Sequence, residues 1–322
     1  MNQRFSKTQD SKTLKIQDFS ELLEIPVSKI PADCIQLFKK GHFKFKYPSP
    51  KERDSIILMI IKIIESDSLF HAGKNGKKIW KRIWANHLAR FKKNHFDLDE
   101  LTPDFFRSGD LMRLNGDFII ANDPRFKFDF YNVLRHWLFR EYFKDVGSIY
   151  EFGCGTAHNL VVLARMFPQK SIYGLDWIPE IKELIEILSK QYKLNMHAKV
   201  FDMEKPKFKM PVEDNSAFLT TWSLEQLGKR FESYLKFVLA KKPKIVIDIN
   251  SFVELYNPDK LTEYLTIKFN NQRFYLEGYL DRLKELEKKG KITIHKIHNV
   301  HLGTLFHNGF SYVVWSPISN KK

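Results

Sequence analysis

From residue 148 onward, short apolar runs alternate with longer stretches of helical spacing, and this constrains the fold more than any other feature of the chain. The apolar runs are 148–152, 171–175, 197–201, 217–221 and 245–249. Among them lie 159–167, 179–192 and 231–240, where apolar residues recur every three or four positions. Strand and helix in alternation specify a parallel sheet with crossover helices. After residue 249, Asn257-Pro258-Asp259 offers a cap, a proline for a first turn and an acid. A long helix is therefore expected from there to about Lys289, stopping at Gly290. Residues 291–297 and 310–315 read as two final strands close enough to pair antiparallel.

The first part of the chain has a different texture, helical at most positions from Ile16 to about Phe96. Between Lys74 and Lys93 stand eight basic side chains and no acid, with Trp80 and Trp84 on the apolar stripe. Two readings are open: a strip that docks phosphate or a membrane surface, or a core helix whose lysines are solvated. Asn115-Gly116, set between short apolar runs, signals a hairpin because both turn positions need positive φ. A helix then follows Pro124, carrying Phe130, Val133, Leu134, Trp137, Leu138 and Tyr142 on one stripe. The expected division is a mainly helical extension over 1–145 and an α/β domain over 146–322.

Composition narrows the function classes. The 322 residues are 43% hydrophobic and 28% charged, which is ordinary for a globular protein. The net charge of +15 is spread along the chain and favours anionic partners without selecting one. Two cysteines, Cys34 and Cys154, supply neither a disulfide framework nor a zinc cage. The stretch Met1–Lys7 is polar with no apolar signal core behind it. The longest apolar run, Ile56–Ile64, is broken by Lys62 and falls short of the roughly 20 residues a membrane span needs. These features read as a soluble, cytoplasmic protein.

The segment with chemical content is Ile149-Tyr150-Glu151-Phe152-Gly153-Cys154-Gly155-Thr156-Ala157-His158-Asn159, a buried strand running through a glycine turn into a helix. Gly153 and Gly155 let the backbone turn sharply and a ligand lie against it. A dinucleotide fingerprint needs a third glycine where His158 stands, and Glu151 would repel a pyrophosphate. An acid two residues before the first glycine, with Ala157 closing the pattern, resembles the first motif of the class I S-adenosylmethionine-dependent methyltransferases. The resemblance covers about 146–317 and implies a Rossmann-like, mostly parallel seven-stranded sheet of order 3-2-1-4-5-7-6, only the last strand being reversed. It also implies S-adenosylmethionine as cofactor. Glu151, Gly153, Cys154, Gly155 and Asn159 would then hold the amino-acid end. Asp176, 23 residues beyond Gly153, would take the ribose hydroxyls, with Trp177 against the adenine. Asp202 would accept the adenine amine, Met203 would lie near the ring, and Thr221 at the fourth strand end would help close the pocket.

Methyl transfer is an in-line displacement, dominated by positioning and aided by a base where the acceptor is acidic. Thr221-Trp222-Ser223-Leu224 stands where amine-modifying relatives carry Asn/Asp-Pro-Pro-aromatic, so hydroxyl methylation remains by elimination. Candidate catalytic residues are His307, Glu225 and Asp248, with Glu254, His298 and His301 also near strand ends. The glycine-bounded loop 302–309 is expected over the acceptor pocket, and the 1–145 extension is expected to cover it. A small or sugar-containing acceptor, nucleotide-linked or a polysaccharide precursor, is the first reading. RNA methylation is the second, and a non-catalytic cofactor-binding scaffold the third.

Overall fold

The computed structural model describes residues 11–66, 69–107 and 109–318; the polar stretch Met1–Lys7 lies outside them. Before residue 145 come helices α1 (Ile16–Leu23), α2 (Ala32–Lys40), α3 (Pro50–Glu65), α4 (Lys74–Lys93), α5 (Asp104–Arg107) and α6 (Phe126–Phe143). Four short strands lie among them: β1 (Lys12–Thr13), β2 (Lys44–Lys46), β3 (Leu111–Leu114) and β4 (Asp117–Ala121). The second part then alternates β5 (Ser148–Phe152), α7 (His158–Met166), β6 (Ser171–Asp176), α8 (Pro179–Tyr192), β7 (Met196–Val200) and β8 (Ser216–Thr221). It continues with α9 (Glu232–Lys241), β9 (Ile245–Ile249), α10 (Leu261–Gln272), α11 (Tyr279–Lys288), β10 (Ile292–His298), β11 (Leu302–Thr304) and β12 (Tyr312–Pro317).

Among the described residues the strands form two sheets. The larger has seven strands in the order β10-β12-β9-β8-β5-β6-β7. Strands β5 to β9 pair in parallel, whereas β12 runs antiparallel to both β9 and β10. Numbered from β5, with β11 belonging elsewhere, the order reads 3-2-1-4-5-7-6 with the seventh strand reversed. Its inner strands are apolar on both faces because both faces are covered. Ile149, Ile172, Leu219 and Ile247 join one core with α6, α7 and α8. Tyr150, Phe152, Phe218 and Val246 join the other with α9 and α11.

The second sheet, β1-β2-β4-β3-β11, adds to the helical extension something the sequence reading anticipated only at its hairpin. That hairpin is β3–β4, turning through Asn115 (φ 51°) and Gly116 (φ 83°). Its outer partner β11 comes from far along the chain and pairs antiparallel with β3. The segment 302–309 is therefore not wholly a loop: its first three residues are a strand. The face packed on α6 and α7 continues into Phe19, Phe38, Phe43 and Phe126, so one apolar core spans residues on both sides of 145. The apolar run Ile56–Ile64 is part of α3, which packs Ile56 and Ile60 against Phe118 and Leu265.

The long helix expected up to Lys289 is instead two helices, α10 and α11. Asn257-Pro258-Asp259 forms a turn in which the Asn257 side chain accepts from the Asp259 amide, and the helix begins only at Leu261. The break falls at Arg273–Gly278, where Phe274 (φ 52°) and Gly278 (φ 82°) adopt left-handed conformations. The Arg273 carbonyl there accepts from the Ala72 amide, so a contact with the extension holds the break.

Asp248 of β9 is fully buried in the second core and does not reach a ligand cavity, contrary to its place among the candidate bases. Its carboxylate accepts from Thr220 Oγ1 at 2.6 Å, Tyr279 OH at 2.8 Å and Trp315 Nε1 at 2.9 Å. These bonds tie β8, β12 and α11 to one acceptor. Replacing Asp248 with alanine would leave three buried donors unpaired, at about 1–3 kcal/mol for each stranded group. Urea unfolding of Asp248→Ala is expected to lower stability by about 3 kcal/mol or more. A loss under about 1 kcal/mol would show the network to be dispensable.

Candidate active site

The β5–α7 turn is built from left-handed backbone at Gly153 (φ 73°), Gly155 (φ 51°) and Ala157 (φ 60°). The Gly153 and Cys154 amides both donate to the Leu175 carbonyl, tying the turn to β6. A Cβ on Gly153 would lie 2.3 Å from Ser223 Cβ, and one on Gly155 would lie 3.0 Å from the Trp84 ring. Gly153 therefore demands glycine for space as well as for conformation, while Gly155 is favoured by its positive φ and a tight approach to Trp84. Cys154 is buried, and burial holds its thiol well above its ordinary value, which disfavours the nucleophilic thiolate.

Glu151 points from β5 into this turn at 1% exposure. Its Oε1 accepts from Asn159 Nδ2 at 2.7 Å, while Oε2 is buried without a hydrogen-bond partner. Asn159 in turn accepts from Tyr131 OH at 2.8 Å and Arg135 Nη1 at 2.9 Å, and donates to Thr221 Oγ1 at 3.3 Å. Burial pushes the Glu151 carboxyl up to about 8, against the opposing pull of Asn159, Thr221 and Arg135. Asp176 closes β6: Oδ2 accepts from the Gly155 amide at 3.2 Å and Oδ1 from the Ile178 amide at 3.1 Å. Burial raises it to about 6.

All ten residues expected to hold a cofactor line one cavity: Glu151, Gly153, Cys154, Gly155, Asn159, Asp176, Trp177, Asp202, Met203 and Thr221. The cavity measures about 120 Å³ and is narrowed by Lys77 from α4. Lys77 Nζ lies 3.0 Å from Asp202 Oδ2, 2.8 Å from Glu204 Oε2 and 5.5 Å from the centre of the Trp177 ring. Lys77 is thus not a solvated residue of a basic strip. Lys81 approaches Glu180, Arg90 pairs with Glu100 and Asp104, and Lys92 pairs with Glu183. Trp80 and Trp84 face the cavity.

A second cavity of about 350 Å³ adjoins the first and shares Trp80, Trp84, Phe105, Trp222 and Gln226 with it. Phe70, Phe106, Tyr275 and Phe310 extend the aromatic wall, and Glu225, His307, Arg273 and Lys127 bring polar groups to it. Glu225 and His307 are therefore brought together, while Asp248 is not. Glu225 Oε2 and His307 Nδ1 are both buried without partners. Burial pushes the Glu225 carboxyl up to about 8. Burial, with the charges of Arg113, Arg273 and Lys127, drops His307 to about 3. His298 and His301 line a separate cleft with Asp18, Glu21 and Glu24, and Glu254 accepts from the Leu280 amide away from both cavities.

Sequence reasoning missed Lys77, Tyr131, Arg135, Arg273 and Tyr275. A basic residue four positions from an aromatic beside the apolar stripe of α6 was the one available sign of the Tyr131–Arg135 pair.

No protein-family model matches this sequence, and no characterised protein matches it by sequence. Solved structures do match. The pyocyanin biosynthetic protein PhzM aligns over 59% of this chain and 56% of its own, at 12% identity and a TM-score of 0.44. The methyltransferase domain of bacterial CtHen1 aligns over 57% and 95%, at 14% identity and 0.43. Magnesium protoporphyrin IX methyltransferase from Synechocystis PCC 6803, solved with S-adenosylhomocysteine, aligns over 58% and 81%, at 10% identity and 0.43. At such identities these likenesses say nothing about the substrate. The strand order, the reversed β12 and the glycine turn after β5 speak for themselves. The fold is of the class I methyltransferase kind. Among the described residues no helix is long and apolar enough to cross a membrane.

The raised carboxyls have a signed consequence for stability. Glu151 and Glu225 hold protons in the folded chain up to about pH 8 that an unfolded chain releases near the ordinary value of 4.5. Between those values the folded state binds more protons, so stability falls as pH rises, by up to about 1.4 kcal/mol per pH unit for each group. Chemical unfolding from pH 5 to 8 is expected to show a fall that is shallower in Glu151→Gln and Glu225→Gln. Parallel profiles for wild type and variants would contradict the burial argument.

Proposed function

We propose that the protein is an S-adenosylmethionine-dependent methyltransferase acting on the hydroxyl of a small acceptor held in the second cavity. The observation that carries this reading is the junction of the two cavities across Trp80, Trp84, Phe105, Trp222 and Gln226, with an unpaired carboxylate oxygen of Glu151 on the wall of the first. That oxygen, buried and lacking a donor, suits the α-ammonium of an amino acid. Asp176 at the β6 end suits two ribose hydroxyls, and Trp177 and Met203 suit an adenine face. Asp202 suits the adenine amine once the Lys77 ion pairs open. The sulfonium supplies the electrophilic methyl group.

The rest falls to the chain's own residues. The aromatic wall excludes water and orients the acceptor. Glu225, ionised as pH approaches 8, takes the hydroxyl proton as the new oxygen–carbon bond forms and the sulfur–carbon bond breaks. His307, held near 3, is too weak a base for that task and serves as a neutral polar contact. The pairing of Lys77, Lys81, Arg90 and Lys92 with acids of the same chain speaks against α4 as an RNA-docking strip. A walled acceptor cavity beside the cofactor cleft speaks against a scaffold role.

Calorimetry is expected to show binding of S-adenosylmethionine and its demethylated product, and none of NAD. Asp176→Ala should weaken the binding by about 1.5–3 kcal/mol through lost charge-assisted hydrogen bonds. Binding of the ammonium favours ionised Glu151, so affinity should rise with pH from 6 to 8, approaching tenfold per unit, and Glu151→Gln should flatten this rise. Glu225→Gln should leave cofactor affinity intact while lowering turnover by about 10² or more. Absence of cofactor binding in the wild type would end this reading.

A further inference from the structure

Arg273 stands at the break between α10 and α11 with its side chain on the second cavity. It is 8% exposed, forms no ion pair among the described residues, and its Nε is buried without a partner. Its guanidinium lies 3.8 Å from the Phe70 ring centre and 4.6 Å from that of Tyr275. Aromatic rings thus lie against the group, while its buried Nε has no hydrogen-bond partner. A buried guanidinium without a counter-charge is costly and calls for an anion.

Neighbouring charges do not supply that anion. Asp104 at the cavity rim is taken by Arg90. Glu225 is the other acid on the wall; it feels the Arg273 charge, but burial outweighs that pull and no ion pair joins the two among the described residues. Lys127, donating to the Phe105 carbonyl at 2.7 Å, and Arg113 add positive potential around His307. Most of the remaining wall is aromatic, with Ile83, Gln226, Thr304 and Gly309 completing it. The cavity therefore pairs flat apolar surfaces with the buried guanidinium edge of Arg273, the chemistry that recognises a planar ring carrying a planar anion.

We propose that the acceptor is a hydroxylated aromatic carboxylate, its carboxylate on the Arg273 edge, its ring among Trp80, Trp222, Phe105 and Phe310, and its hydroxyl toward Glu225. This rests on the methyltransferase reading and replaces the sugar-containing acceptor with a flat, anionic one. The aryl hydroxyl gives its proton to the ionised form of Glu225, populated as pH approaches 8, its oxygen takes the methyl group, and the sulfonium becomes a neutral thioether. The carboxylate stays on Arg273 as an anchor and is not consumed.

The test uses the full chain saturated with S-adenosylhomocysteine, so cofactor binding is established before any acceptor is added. Calorimetric titration then compares 3-hydroxy-2-naphthoate with 2-naphthol, which lacks the carboxylate, and with UDP-glucose. The naphthoate is expected to bind at least tenfold more tightly than naphthol, with UDP-glucose weakest. Arg273→Gln should abolish the preference for the acid while leaving naphthol affinity within about twofold, and Arg273→Lys should keep part of it. Equal affinity for naphthoate and naphthol in the wild type would overturn the proposal, as would a preference that survives Arg273→Gln or tighter binding of UDP-glucose. Should Arg273→Gln fail to fold, the wild-type ratio and Arg273→Lys decide. Failure to bind S-adenosylhomocysteine at the outset would instead remove the methyltransferase reading itself.

Discussion

The arrangement depends on one costly placement, a carboxyl group buried at the end of the central strand. Glu151 sits where the sheet gives no water to solvate it, and a bare carboxylate there would be far too expensive. The fold meets the cost with an amide and a proton: Asn159 donates to one oxygen, and burial keeps the group largely protonated. Asn159 is itself oriented by Tyr131 and Arg135 of α6, so the glycine turn is held from outside the β/α repeat. The helix that precedes β5 is therefore part of the site.

The same interdependence recurs at the acceptor side. Helix α4 of the extension supplies Trp80 and Trp84 to the wall between the cavities, while Phe105, Phe106 and Lys127 of the extension meet Glu225, Arg273 and His307 of the sheet domain. The cofactor side is framed mainly by strand ends, which this topology provides in any member of the fold. The acceptor side is framed by what is peculiar to this chain. Ligand selectivity and the join between its two parts are thus carried by the same residues.

Legibility of the sequence followed the same division. Strands β5 to β9 were readable because buried parallel strands appear as short apolar runs, and Glu151, Asp176 and Asp202 were readable because each ends or follows such a run. The β3–β4 hairpin was announced by Asn115-Gly116. Strands β1, β2 and β11 were not legible, since two or three residues carry no period, and Leu302–Thr304 beside Gly303 looks like loop. The break after α10 escaped notice because no Pro or Gly between Leu261 and Gly278 marks it; it coincides with the tertiary contact at Ala72 and the approach of Arg273 to the Phe70 ring. Asp248 misled for another reason. An acid near a strand end reads alike whether it faces a ligand or three internal donors, and only the packing of Tyr279 and Trp315 distinguishes them.

The pairing of β11 with β3 has a consequence for how the molecule is made. Arg113, beside the hairpin turn, donates to the Leu305 carbonyl across 192 residues of chain. Until that later segment leaves the ribosome, the small sheet has an open edge at β3, and the second cavity lacks the part of its wall formed by Thr304, His307 and Phe310. The glycine turn and its parallel neighbours can assemble earlier, from contacts of much shorter sequence separation. Closing so long a loop is entropically slow. Biosynthesis accordingly imposes an order in which the cofactor half matures first and the acceptor cavity acquires its shape last.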